Sequence, residues 1–362
     1  MRTASRLRRH PLGRSIAGLA ILAAAITFST SCTLFRPVDS AADGRPIPGG
    51  SSVLELRDPA RRPGTPLVMV AMPGSALFQT TRRAFLTEIG EAFDVSTLVV
   101  TPETTSDELG AAIRRDQPTC IVLMNNPTVR LYRDYQRARP GEKFPPAVIV
   151  MASFLEDIRQ GLVGATGIAY EVPGVTAFVS LRATIKAPVT RVGVLHSRYS
   201  RDFIERQRRL AAPEHIEIVP VEVDDEQPSV GTVRRALQAL ESAHHIDALW
   251  ILNDNRLLKD GRFLLEAWTP ALESLGVPVV VGAEPLVNPQ SPFGTFAVLP
   301  DHAGLGVQAA NLILDLADSG WRTDLHPVEL PLSTISVLDV TQAETKFGLR
   351  EDALNHIDRP AR

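Results

Sequence analysis

The sequence predicts an α/β fold: two doubly wound parallel-sheet lobes joined by hinge crossovers. Three observations carry that expectation. Short apolar runs bounded by turn residues alternate with apolar stripes at helical spacing. The runs are continuously apolar, as strands of a parallel sheet covered on both faces must be. The alternation comes in two series, divided at Ala165 to Thr176, ATGIAYEVPGVT, where Gly167, Pro173 and Gly174 interrupt it.

The first residues stand apart from the fold. Arg2, Arg6, Arg8, Arg9 and Arg14 form a positive segment, Ile16 to Phe28 an apolar one, and Ser29-Thr30-Ser31-Cys32 a small-residue ending. The apolar run is shorter than the roughly 20 residues a membrane-spanning helix needs, so it reads as a signal peptide over 1–32. Its ending resembles a bacterial lipobox, which makes Cys32 the lipidated first residue of the mature chain. An ordinary secretory signal with an incidental cysteine is the alternative. The chain is therefore expected in the cell envelope, facing the periplasm or exterior and touching membrane only through its anchor. Thr33 after the cysteine, where Asp would favour retention at the inner membrane, leans towards the outer one in a two-membrane cell. Residues 33–64, rich in Pro, Gly and Ser, read as a flexible tether.

The first series opens with the run Leu67 to Met72, followed by Phe85, Ile89 and Phe93 at the spacing of one helix face. Leu98 to Val100 follows as a strand. Thr105 and Glu108 then suit a capping box ahead of Leu109, Ala112 and Ile113. Cys120 to Met124 and Ala147 to Met151 complete the series.

The second series repeats the arrangement. Val192 to Leu195 is a strand, Phe203 to Leu210 a helix, Ile216 to Val223 a strand, and Val230, Val233, Leu237 and Leu240 a helix stripe. Ala248 to Leu252, a helix around Phe263 to Leu275, and Val279 to Val281 follow. Phe296 to Leu299, the helix Leu305 to Leu316 and Val337 to Val340 suit either lobe. The lobes are expected over 65–169 plus about 292–330, and over 170–291 plus about 331–350. Hinges are expected near 168–175, 284–294 and 330–336, where breaks rich in Gly or Pro separate the strands.

Composition narrows the function. The 362 residues, 44% hydrophobic and 22% charged with a net charge of −3, leave room for two lobes. Arginines are dispersed among acids, so no nucleic-acid partner is expected. Cys120 sits inside the apolar run CIVLM and reads as a buried small hydrophobe without a disulfide partner in the mature body. There is no Gly-x-Ser-x-Gly elbow and no Gly-x-x-x-x-Gly-Lys, and GLVGATG at 161–167 lacks the dinucleotide spacing. His244-His245 has no cysteine or acid at ligand spacing and reads as solvated surface. No enzyme activity, cofactor or metal is expected.

Ligands of open parallel sheets sit beyond the carboxyl ends of the strands. Those ends carry Pro73-Gly74-Ser75, Asn125-Asn126-Pro127-Thr128 and Ser153 in the first series, then His196-Ser197, Asn253-Asp254-Asn255 and Glu284. The set suits a small polar ligand carrying an amine or hydroxyls, with Asp254 either meeting an ammonium or capping the next helix. Ser75 and Thr128 read more simply as caps.

From Ala165 to Leu349 the chain resembles the substrate-binding-protein family of tryptophan and tyrosine ABC-type importers, which have the type I periplasmic-binding fold. ATGIAY matches that family's crossover, TRVGVLHS its strand opening the second lobe, and NDN the place of its Asp-Asn. GLGVQAANLILDLADSG followed by LDVTQAETKFGL matches its closing helix and strand. The first lobe departs from it, with NNPT in place of Gly-Thr-Pro and MASF in place of an Asp-Pro pair. The resemblance implies closure of two lobes around a small, amino-acid-like ligand, commonly an aromatic or other apolar amino acid, and delivery to an ABC permease. It implies that Asp254 and Asn255 bind the polar end of the ligand, with Asn126 and Thr128 facing them. Ser75 and Tyr170 are further candidates, and Glu284 and Asp301 stand beside expected crossings. The rival reading is an outer-membrane sensor or protein-interaction lipoprotein using the same fold without transport.

Overall fold

The computed structural model describes residues 55–57, 61–223, 228–254, 256–258, 261–290 and 293–362. The leader with Cys32, residues 33–54 of the expected tether and Asn255 lie outside them.

The first sheet contains β1 (Glu55–Arg57), β2 (Leu67–Met72), β3 (Asp94–Val99), β4 (Cys120–Met124), β5 (Ala147–Val150) and β6 (Ala165–Gly167), in the order β1-β3-β2-β4-β5-β6. All pair in parallel except β1, which runs antiparallel along β3. β2, β4 and β5 are buried along their whole lengths, which is why their sequences show no polar alternation. One face packs on α1 (Ala76–Ile89), the other on α2 (Ser106–Asp116) and α3 (Asn126–Arg137). The short α4 (Leu155–Ile158) follows β5. The capping box at α2 forms: Glu108 N donates to Thr105 Oγ1 at 3.2 Å, and Thr105 N to Glu108 Oε2 at 2.7 Å.

β1 corrects the expected tether, because part of 33–64 is a strand. The free edge of β3 accepts it, and sequence composition carries no signal for an edge waiting to be paired. Arg62 fixes the chain just beyond, with Nε 2.8 Å from Asp94 Oδ1, and holds that carboxyl below the usual carboxylate range.

The second lobe begins with α5 (Gly174–Thr184). Its strands are β7 (Arg191–Ser197), β8 (Glu217–Val223), β9 (Ala248–Ile251), β10 (Val279–Val281), β11 (Phe296–Pro300), β12 (Thr334–Asp339) and β13 (Arg359–Ala361), in the order β13-β12-β11-β10-β9-β7-β8. Only the β11–β12 pairing is antiparallel. α5 and α6 (Arg201–Ala211) cover one face. α7 (Val230–Ser242) covers the other, together with a bent helix made of α8 (Gly261–Phe263), a π-helical turn Leu264–Trp268 and α9 (Thr269–Leu275).

α10 (His302–Asp318) returns to the first lobe and packs on α1. The approach is close: a Cβ on Gly306 would stand 2.2 Å from the Thr81 carbonyl oxygen. β11 therefore belongs to the second sheet, and the segment returning to the first lobe starts at Asp301, not near residue 292. The expected hinge at 284–294 is displaced likewise. Glu284–Leu286 form a 3-10 turn after β10, and Gly294 N donates to Leu286 O at 2.8 Å, which ties the start of β11 back to that turn within the second lobe.

The crossings run through 168–173, 300–302 and 330–333. Ile168 bridges Glu329, with Ala169 N donating to Glu329 O at 2.8 Å. Asp301 N donates to Ser333 O at 2.9 Å. Gln308, 5% exposed, ties α10 to the third crossing through Leu332 N and Leu330 O, so the connections form one bonded bundle.

Candidate functional site

The carboxyl ends of β9, β10 and β11 meet the first crossing at a pocket. Tyr170, Glu171 and Val172 of the crossing line it, with Gly174 and Ala177 of α5, the β9 end Trp250 to Asn253, Val280 to Gly282, Val298 to Pro300, and Phe154 from the first lobe. Its volume is about 40 Å³, room for about three waters, so a larger solute needs the lobes to part or the rings to turn.

The walls are aromatic and shared between lobes. Phe154 meets Phe203 edge-on at 5.2 Å between centroids, Phe203 meets Trp250 at 5.9 Å, and Phe178 meets Trp250 edge-on at 5.4 Å. Gly174 leaves space for that contact, since a Cβ there would lie 3.0 Å from Trp250 and from Phe178.

The polar groups are fewer. Glu171 accepts from the Phe154 N–H at 3.0 and 3.1 Å on its two carboxylate oxygens. Burial away from water raises its pKa to about 7, and the like charge of Asp157 adds to the rise against the hydrogen bonds from Phe154 N and Ser153. Among the described residues it has no ion-pair partner. Asn253 donates through Nδ2 to Gly282 O at 2.9 Å, while its buried Oδ1 has no partner. Tyr170 OH bonds His302 Nε2 at 3.0 Å. Burial holds His302 below the usual imidazole range.

Backbone strain gathers at the first-lobe floor. Asn125, Met151 and Phe154 take φ of 82°, 56° and 55°, close to the ends of β4 and β5. Left-handed backbone is uncommon outside glycine, and a bulky residue such as Phe154 there is an outlier. Lobe-to-lobe contacts continue outward. Arg206 stands 3.6 Å from Asp157, whose pKa burial raises. Burial and the charges of Arg133 and Arg256 lower that of Arg130.

Of the residues expected from sequence, only Tyr170 lines the pocket. Asp254, 5% exposed, uses its carboxylate on its own lobe: Oδ1 accepts from Arg256 N at 2.9 Å and Oδ2 from Ser197 N at 3.4 Å. It holds the turn after β9, which is the capping alternative. Thr128 is fully buried and donates its hydroxyl to Met124 O at 2.8 Å; the cap of α3 is Asn125, whose Oδ1 accepts from Thr128 N at 3.0 Å, so Thr128 neither caps the helix nor offers its hydroxyl to a ligand. Asn126 donates to Ser153 O at 3.1 Å, fixing the β5 loop. Ser75 precedes α1 with no capping bond from its side chain. Glu284 pairs with Arg359 at 2.6 Å on the surface, and Asp301 caps α10 through Ala303 N and Gly304 N. Asn255 falls outside the described residues. Asn253 stood in the polar set expected at the strand ends but was given no binding role of its own, and Glu171 was missed. Glu171 offered a signal, a lone acid within IAYEVPG with no base nearby in the chain.

Among the described residues no group of three or more His, Cys, Asp or Glu is placed to hold a metal, and no helix is long and apolar enough to cross a membrane. No family model matches the chain, and no curated protein matches it. Solved structures do resemble it. An ABC domain in complex with L-Trp from Streptococcus pneumonia superposes with TM-score 0.54 at 14% identity, over 82% of this chain and 99% of that one. A conserved domain protein from Vibrio cholerae gives 0.55 at 18% identity, over 82% and 99%. The ligand-free, open structure of a substrate binding protein with adhesive properties from Clostridium difficile gives 0.60 at 14%, over 82% and 100%. At these identities the likeness concerns the fold, which is that of the type I periplasmic binding proteins.

Proposed function

We propose that the chain is an extracytoplasmic, lipid-anchored solute-binding protein that captures a small amino-acid-like ligand between its lobes for an ABC-type importer. The observation that carries this reading is the pocket where the carboxyl ends of β9, β10 and β11 meet the first crossing, walled by Phe154 from one lobe and Trp250 from the other. Rings around a few polar groups suit a ligand with a flat apolar body. The L-Trp held by the Streptococcus structure supports the same ligand class. The sequence of the leader, with Cys32 at its end, supports the anchor and the envelope location.

A second reading, an outer-membrane sensor or interaction lipoprotein, draws on Thr33 and on the adhesive properties of the Clostridium difficile protein. A thermal-shift screen of the chain after Cys32 against amino acids, nucleosides and small organic acids separates the two. A ligand at about 100 times its Kd adds roughly 2.7 kcal/mol, a rise of a few degrees. No rise across the library refutes solute capture and leaves the second reading.

A further inference from the structure

The pocket holds a carboxyl without a cation and an amide oxygen without a donor. Glu171, once ionised, has no cation beside it among the described residues, and Asn253 Oδ1 is buried without a partner. The neutral donors Phe154 N and Ser153 already serve Glu171, Asn253 Nδ2 is committed to Gly282 O, and Tyr170 OH is paired with His302 Nε2. The Asn253 amide is fixed in this sense, because a flipped amide would set its oxygen against the Gly282 carbonyl. A half-buried carboxylate lacking a countercharge and a buried amide oxygen lacking a donor both destabilise the empty site. Both are relieved by one kind of group, a cation with several N–H donors.

We propose that Glu171 and Asn253 receive the protonated amine of the ligand, whose flat apolar body lies against Trp250 and Phe154. This rests on the reading that the chain captures a small solute, and it narrows the solute to a primary ammonium compound. An ammonium offers three donors, enough for Glu171 and Asn253 Oδ1 together. Glu171 lies on the first crossing, so the bound charge sits where the lobes join. The site also becomes proton-linked: the carboxylate must ionise to receive the cation, and burial makes it ionise only near neutral pH. Other charged or titratable groups face it, namely Asp157 with Arg206 and Asp202 behind it, and the Tyr170–His302 pair.

The test uses three indole probes, L-tryptophan, tryptamine and the neutral isostere tryptophol, titrated by calorimetry into the chain after Cys32 and its Glu171→Gln variant. The expected result is binding of an amine probe at least about tenfold tighter than tryptophol, with the preference gone in Glu171→Gln. Affinity of the wild-type protein for the amine should also fall about tenfold from pH 8 to pH 6 as Glu171 takes up a proton. That second measurement decides alone if the variant fails to fold. Equal binding of tryptophol, or a preference that survives in Glu171→Gln, overturns the assignment. If no indole binds, a screen of amine-bearing and amine-free solutes decides. An amine-dependent best ligand whose affinity Glu171→Gln lowers supports the assignment. A best ligand without an amine overturns it while solute capture stands, and no ligand at all removes both.

Discussion

Replacing Glu171 by Gln should stabilise the ligand-free protein at neutral and alkaline pH and leave it unchanged in acid. The folded chain holds the Glu171 proton up to about 7, whereas the ordinary value is 4.5. Between those values the native state binds more protons than the unfolded one, so stability falls as pH rises. The contribution is fully present below the lower value and fully lost above the upper one. Two and a half pH units correspond to an upper bound of about 3.4 kcal/mol. The side chain is only partly buried, so solvent screening brings the expected difference to about 1 to 2 kcal/mol. Gln has the shape of the protonated acid and can still accept from Phe154 N, so the two proteins should coincide at pH 4. With an unfolding entropy of about 2 cal/mol/K per residue over roughly 300 residues, the variant should melt about 2 to 3 °C higher at pH 8. Paired thermal melts from pH 4 to 8 measure the gap. A gap independent of pH, or a less stable variant at pH 8, would refute the argument that Glu171 is an uncompensated charge.

Three other substitutions or reagents probe the frame. Gly306→Ala sets a methyl 2.2 Å from the Thr81 carbonyl and 2.9 Å from Phe85 N, both backbone atoms of α1. It should cost about 3 kcal/mol or more in denaturant unfolding, and a neutral result would show that α10 can shift freely. Asp254→Ala strips the acceptor from Arg256 N and Ser197 N, and should lower stability by about 1 to 2 kcal/mol. It should weaken ligand binding less than Glu171→Gln does, and calorimetry showing the reverse would return Asp254 to the binding site. Cys120, buried and with its thiol pushed up to about 12, should resist a thiol reagent at pH 8 and react once denaturant unfolds the first lobe. Prompt labelling of the native chain would contradict that burial.

The architecture was legible because strands covered on both faces are apolar throughout. β2, β4 and β9 stand where their sequences place them. Sheet membership was not. FAVLP would fit either sheet, and only its pairing with β10 and β12 assigns β11 to the second. The candidate site was legible as a place but not as a set of side chains. Strand ends do supply it, yet residue type alone cannot say where a hydrogen bond goes. Asp254 turns to the amides of Arg256 and Ser197, while Asn253, one residue earlier, faces the pocket. Thr128 spends its hydroxyl on carbonyls of its own chain, Met124 and Asn125. Glu171 lies in an aperiodic crossing, where neither 3.6-residue nor two-residue periodicity says anything about orientation.

The strained backbone and the uncompensated charge explain each other. Phe154 stands at φ 55°, and from that turn its N–H reaches both oxygens of Glu171 while its ring meets Phe203 of the other lobe. Held left-handed, a residue of this bulk costs of order 1 to 3 kcal/mol, which the hydrogen bond and ring contact offset in part. Glu171 in turn gains hydrogen bonds from Phe154 N and Ser153 but no cation, so neither group is at its own optimum in the empty protein. A ligand shifts the arrangement of two lobes only by as much as it binds one arrangement better. A cation arriving at Glu171 meets that condition. It neutralises a charge set on the crossing and offsets the repulsion from Asp157, whose own partner Arg206 belongs to the second lobe. One charge can therefore act on both lobes at once, which a ligand seated on Asp254 within a single lobe could not do.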